Sequence, residues 1–235
     1  FTNIYAEAVN TGHAEVSLVK FNTQSDGNKK LIGIKMDMQK NWHTYWKNPG
    51  DSGGPIKVKW SHEEDLAISE IFWPTPSLIP YDPLMTYGYK DFVIFPFKFE
   101  NSGTINAPIT ADIDFLICDD ICVPEKAYIE TTIDEIVTDI NLQHWFAMVP
   151  TQTLPAKVSI DNNYIEIRFS NNDLLSTAIF FINDADSVEH AAEQILVKEE
   201  NNWLLKIKKL QDIKQLNNIS GVLAFDNGDA FMIDA

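Results

Sequence analysis

Alternation of apolar and polar residues runs through the first half of the chain. Val16, Leu18, Lys20 and Asn22 interleave with Ser17, Val19 and Phe21, and residues 31–38 alternate from Ile32 onward. Both runs are rich in β-branched and aromatic side chains, the pattern of half-buried strands. Further strands are predicted at 56–60, 68–73, 92–99, 105–117 and 126–133, with Pro, Gly, Asn and Asp between them, as in 48–55. Many short strands punctuated in this way predict an antiparallel β-sandwich. One segment departs from the rhythm. Leu142, Trp145, Phe146 and Val149 fall at the i, i+3, i+4, i+7 spacing of a helix face, and Pro150 ends it. Strands resume at 156–160, 164–170, 177–182, 203–208, 221–225 and 230–233; residues 186–189 resemble a capping box ahead of a run too short for a helix. The fold expected is all-β. A first sandwich spans residues 1–140, a short helix and linker 141–155, and a second, smaller sandwich 156–235.

Composition agrees with a packed core, since 45% of residues are hydrophobic and 22% charged. Charge narrows the function. Acidic residues outnumber basic ones by 34 to 18, for a net charge of −16, and Arg168 is the sole arginine. Such a surface repels phosphate backbones, so no nucleic-acid partner is expected. No apolar run approaches the ~18 residues of a membrane span, so direct insertion of this segment into a bilayer is not expected either. The chain opens at Phe1 without an initiator Met or a signal-peptide pattern, and is expected to be processed from a larger product.

The chemistry centres on two cysteines, Cys118 and Cys122, separated by Asp119, Asp120 and Ile121. An apolar strand reaches Cys118, and the two aspartates force a polar turn that allows a disulfide to close. As a staple it would contribute only about 2 kcal/mol, because the closed loop is so short. A short polar loop is also open to an attacking thiolate, which suits exchange chemistry. Asp119 and Asp120 disfavour a neighbouring thiolate, so the pair would exchange selectively, with partners that dock well. The residues by themselves leave the structural and redox roles both open. A third reading is Cu(I) held by the thiolates with Met36, Met38, Met85 or His43. No second Cys/His pair provides a zinc set, and methionines on alternating strands are ordinary core filler. No resident metal or cofactor is expected.

Three aromatic stretches complete the candidates. In residues 41–47, Trp42, Thr44 and Trp46 face one way on a strand and His43, Tyr45 and Lys47 the other. One set belongs to the core; for the other, two readings stand, a shield or seat for the disulfide and plain core aromatics with a surface His43. Residues 71–76 and 81–89 concentrate prolines and tyrosines, including Tyr87 and Tyr89, as in a stiff partner-binding loop.

Four motifs in order, residues 41–53, 73–76, 86–89 and 116–125, closely resemble the N-terminal region of ScsB-like proteins, relatives of the disulfide reductase DsbD. The resemblance implies an immunoglobulin-like periplasmic domain carried by an inner-membrane protein. It implies that a membrane domain of the same protein and a thioredoxin-like module deliver electrons to Cys118 and Cys122, which then reduce client proteins. It implies His43 and Tyr45 beside the pair, and Trp46, Asp119 and Asp120 are the further residues expected around it. Copper tolerance is associated with the ScsB-like branch, which keeps the Cu(I) reading as the alternative. Because Cys118 ends an apolar strand, Cys122 is the cysteine expected to be attacked.

Overall fold

The computed structural model describes residues 8–22, 30–62, 66–101, 108–171, 175–200, 202–211 and 218–235. Two compact units emerge. The first comprises Phe1–Trp46, Gly54–Pro74 and Gly88–Val149; the second comprises Lys47–Gly53, Thr75–Tyr87 and Pro150–Ala235. The C-terminal stretch is thus joined in its unit by two segments from the first half, a division that no linear reading of composition shows.

The strands of the first half are β1 (Val9–Asn10), β2 (Ala14–Asn22), β3 (Lys30–Met38), β4 (His43–Gly50), β5 (Lys57–His62), β6 (Leu66–Ile68), β7 (Ser77–Tyr81), β8 (Leu84–Lys90), β9 (Phe92–Asn101), β10 (Pro108–Cys118), β11 (Cys122–Thr132) and β12 (Val137–Thr138). One sheet of the first unit runs β1-β2-β3-β9-β6, with β12 parallel to β2. In the other, β10 is flanked by β11 on one side and by β5 and β4 on the other, and β4 neighbours β8. Within the second unit β7 neighbours β8.

The inward face of each sheet of the first unit is buried, in keeping with period-two alternation. Ile32, Ile34 and Met36 lie opposite Phe97, Phe95 and Val93, and all six are buried. From the other sheet Ile109, Ala111, Ile113, Phe115 and Ile117 are buried in strict alternation along β10. The outer face of the first sheet is closed by helix α1 (Asn141–Ala147). Fully buried Leu142 packs there with Val19, Leu31 and Ile94. Gly33 makes room: a Cβ at that position would come within 2.7 Å of Leu142 and 2.6 Å of Ile94. The helix stops at Ala147, short of Val149, because the Met148 and Val149 amides close tighter bonds to Trp145 and Phe146 as Pro150 approaches.

The second unit adds β13 (Ala156–Ile160), β14 (Tyr164–Phe169), β15 (Ala178–Ile182), β16 (Ile195–Lys198), β17 (Trp203–Lys208), β18 (Ser220–Phe225) and β19 (Ala230–Asp234). They form sheets β13-β14-β17-β16 and β15-β18-β19. Ile165, Ile167, Phe169, Leu205 and Ile207 from one meet Phe180, Ile182, Leu223 and Phe225 from the other in a single core. Tyr87 belongs to this unit, edge-on to Phe181 at 5.1 Å.

Two expectations are revised. The strand expected at 68–73 is only Leu66–Ile68. Beyond it Pro74 and Pro76 remove ladder donors, and single bonds from Ser69 to Lys98 and Phe72 to Pro96 replace pairing. Residues 81–89 are not a loop, because Tyr81 ends β7 and Leu84–Lys90 forms β8, with Pro80 tolerated on an edge strand. At 186–189 turns follow in place of a helix, as the shortness of the run implies, and Val188 is bridged to Lys209. Positions 105–107 of an expected strand lie outside the described residues.

Candidate functional site

The hairpin of β10 and β11 builds the site. Its two strands pair without interruption from Pro108 opposite Thr132 to Cys118 opposite Cys122. The two cysteines are therefore facing residues of one ladder, joined by a disulfide with their Cα atoms 4.2 Å apart. Asp119, Asp120 and Ile121 form the three-residue turn, closed by the Asp119 amide donating to the Ile121 carbonyl at 3.1 Å. Strand β11 begins four residues earlier than alternation from Lys126 suggests, because Pro124 sits on the sheet edge, where no donor is missed.

Strand β4 supplies the surroundings. It meets β10 at one ladder position, His43 opposite Cys118, and the Thr44 hydroxyl donates to the Leu116 carbonyl at 3.0 Å. This places Tyr45 against the sulfurs. Its hydroxyl donates to Cys118 Sγ at 2.7 Å and lies 3.4 Å from Cys122 Sγ. The two cysteines differ sharply in exposure, since Cys118 is 1% exposed and Cys122 is an exposed residue.

His43 packs edge-on to Tyr45 with ring centroids 5.3 Å apart. Burial holds its pKa below the ordinary histidine value; Asp119 partly offsets this, and Lys90 adds to the lowering. The unfolded chain therefore takes up this proton first as pH falls. Stability contributed by neutral His43 is present above about pH 6.5 and is lost as pH drops through the lowered folded value. Urea denaturation at pH about 7.5 and about 5.5 should show a fall in midpoint on acidification, and His43→Gln should show a smaller one. An equal fall in both proteins would refute the assignment.

The remaining expected residues are placed as follows. Trp46 is fully buried, and alternation turns it to the opposite side of β4 from Tyr45. Asp119 and Asp120 are exposed at the hairpin tip. Tyr87 and Tyr89 are strand residues, both buried, so neither offers its ring to a partner; Tyr81, 53% exposed, is the accessible aromatic of that segment. The Tyr89 hydroxyl donates to the Pro74 carbonyl at 2.7 Å, and Tyr87 lies 2.9 Å from His190 Nδ1. Met36 and Met38 fill the core. Among the described residues, no three His, Cys, Asp or Glu side chains gather as a metal-holding group.

Sequence reading missed a second polar cluster on the same hairpin. Glu125 is buried and accepts from the Thr11 hydroxyl and, at 3.2 Å, from the His13 amide. His13 Nδ1 stands 2.5 Å from its carboxylate, and the His13 ring stacks on Trp42 at 3.9 Å. This cluster ties the β1–β2 turn to β11 and to the residue preceding β4. The available signal was parity: Glu125 shares the inward side of β11 with Ala127 and Ile129, where a carboxylate needs partners.

Comparison with known proteins bears on the fold and on the family. The crystal structure of the N-terminal periplasmic domain of ScsB from Proteus mirabilis matches with a TM-score of 0.72 at 14% identity, over 95% of this chain and 93% of that one. At that identity the match speaks for the fold. No curated protein sequence matches the chain. The family model described as "Thiol:disulfide interchange protein DsbD, N-terminal" matches residues 14–133, a span that runs from β2 through β11 and includes the disulfide hairpin. That span is just over half of the 235 residues, and the chain belongs to this family of DsbD N-terminal domains.

Proposed function

We propose that the chain is a periplasmic thiol-disulfide exchange domain of an inner-membrane reductase. It takes electrons from a thioredoxin-like module and passes them to client proteins through Cys118 and Cys122. In this reading residues 1–140 form the redox domain, 141–155 the helix and linker, and 156–235 a second domain. The observation that carries it is the asymmetry of the disulfide. Cys122 is exposed, whereas Cys118 is buried with its sulfur already accepting the Tyr45 hydroxyl.

A donor thiolate attacks Cys122 Sγ, forming a mixed disulfide and breaking the bond to Cys118. The electron pair goes to Cys118 Sγ, and the Tyr45 O–H, 2.7 Å away, stabilises the departing thiolate. The donor's second thiolate then attacks its own sulfur in the mixed disulfide and releases Cys122. The domain holds two thiols and the donor a disulfide. Reversal of these steps on a client disulfide passes the electrons on, with Cys122 again as the sulfur that meets solvent.

Equilibration with thiol buffers tests the proposal. A potential within the span of thioredoxin-like couples, roughly −270 to −120 mV, with exchange complete in minutes, is expected. A potential below about −300 mV with exchange over many hours would make the disulfide a staple and overturn the proposal.

A further inference from the structure

The three residues between the cysteines have features that closing a hairpin does not require. Three-residue hairpin loops favour glycine and small polar residues, which reach the needed backbone angles at little cost. Here the loop is Asp119, Asp120 and Ile121. Ile121 is 65% exposed, second only to Ile140 among the exposed large hydrophobic residues described. It directly precedes the exposed Cys122, with Val123 half-buried and Pro124 exposed beyond it. Both aspartates are exposed, and Asp119 acts electrostatically on His43, which faces Cys118 across the ladder. Lys90 also acts on His43. An attacking sulfur therefore meets an apolar knob set in negative charge.

We infer that Asp119, Asp120 and Ile121 form a specificity element that selects the thiol admitted to Cys122. It favours a cysteine carried on an apolar, positively rimmed protein surface, and it slows anionic low-molecular-weight thiols. This deepens, and rests on, the exchange reading of the disulfide. Every attacking thiolate carries a negative charge toward the two carboxylates. A cationic rim offsets that repulsion and an anionic thiol adds to it. The apolar contact at Ile121 rewards a folded partner that buries it, and a small thiol cannot supply that contact. The chemistry is unchanged: the thiolate bonds to Cys122 Sγ, and Cys118 leaves with the electron pair.

The test compares reduction rates, per thiolate, with cysteamine, 2-mercaptoethanol and 2-mercaptoethanesulfonate, quenched by alkylation and read by mass. The cationic thiol should exceed the anionic one by about tenfold at low ionic strength, and by about threefold or less at ~0.5 M salt. Asp119→Asn with Asp120→Asn should bring the low-salt ratio to about twofold, whereas Glu130→Gln, an exposed acid farther along β11, should keep the original ratio. For Ile121, reduced thioredoxin serves as the protein probe. Ile121→Ser should lower the ratio of its rate to that of 2-mercaptoethanol by about fivefold, and Ile121→Leu should restore it. A cationic-to-anionic ratio near one in the wild-type protein, or ratios unmoved by these substitutions, would overturn the selection while leaving exchange in place. Failure of every thiol to reduce the wild-type disulfide would overturn the exchange reading, and this inference with it.

Discussion

Serine at Cys118 is expected to abolish turnover while leaving a cysteine that still captures partners. In Cys118→Ser the remaining thiol is Cys122, exposed at the start of β11. It should form a persistent mixed disulfide with a single-cysteine thioredoxin-like partner supplied as its thionitrobenzoate disulfide, releasing thionitrobenzoate, because neither protein then holds a second thiol to resolve it. In Cys122→Ser the remaining thiol is Cys118, 1% exposed and held by the Tyr45 hydroxyl. Its alkylation by iodoacetamide should be at least about tenfold slower than that of Cys122, since reactivity follows access as well as thiolate fraction. Both variants lose the same short-loop crosslink, worth about 2 kcal/mol, so their difference reports position rather than stability. Mass spectrometry of the trapped species decides the matter. Trapping mainly through Cys118 would reverse the order of attack proposed above.

A methyl group at Gly88 should do more damage than any other single-atom change near the site. Its Cβ would collide with the Thr44 carbonyl oxygen and stand 3.1 Å from that carbonyl carbon and 3.2 Å from the Tyr45 Cα. These are backbone atoms of β4, so no side chain can rotate aside, and the strand carrying Tyr45 must shift. Overpacking of this kind costs about 3 kcal/mol, or roughly 6–12 °C in Tm for a protein of this size. Displacing Tyr45 also disturbs its bond to Cys118, so Gly88→Ala should slow exchange as well. Gly54→Ala is the contrast. There the added Cβ meets only the Leu116 side chain at 3.6 Å, an ordinary contact, and the change should stay within about 0.5 kcal/mol. Thermal melts of both variants settle the comparison. Equal Tm values would show that β8 and β4 are less closely apposed than described.

Strand content was readable because it rests on local alternation. β13 and β17 coincide with their expected spans, and β10 runs to Cys118 as its pattern requires. The helix at 141–147 was readable from its apolar spacing, although its end is set by backbone bonds formed ahead of Pro150. The segment containing Tyr87 and Tyr89 was less transparent. Prolines and tyrosines suit a sticky loop and an edge hairpin equally well, and only pairing with a neighbouring strand separates the two. β16 was missed for a similar reason, since four residues are too few to show a period.

The sequence by itself determined the all-β class, the acidic surface that repels phosphate, the helix at the middle of the chain and a cysteine pair close enough to join. Each depends on spacing or charge that survives in the unfolded chain. Tertiary structure alone decided which residues surround the sulfurs. Tyr45 and Cys118 are far apart in sequence, and their 2.7 Å contact exists because β4 meets β10 where His43 faces Cys118. Tertiary structure alone also made the disulfide asymmetric. Burial is a property of packed neighbours, so two cysteines nearly adjacent in the chain end with one residue sealed against a tyrosine and the other exposed to solvent.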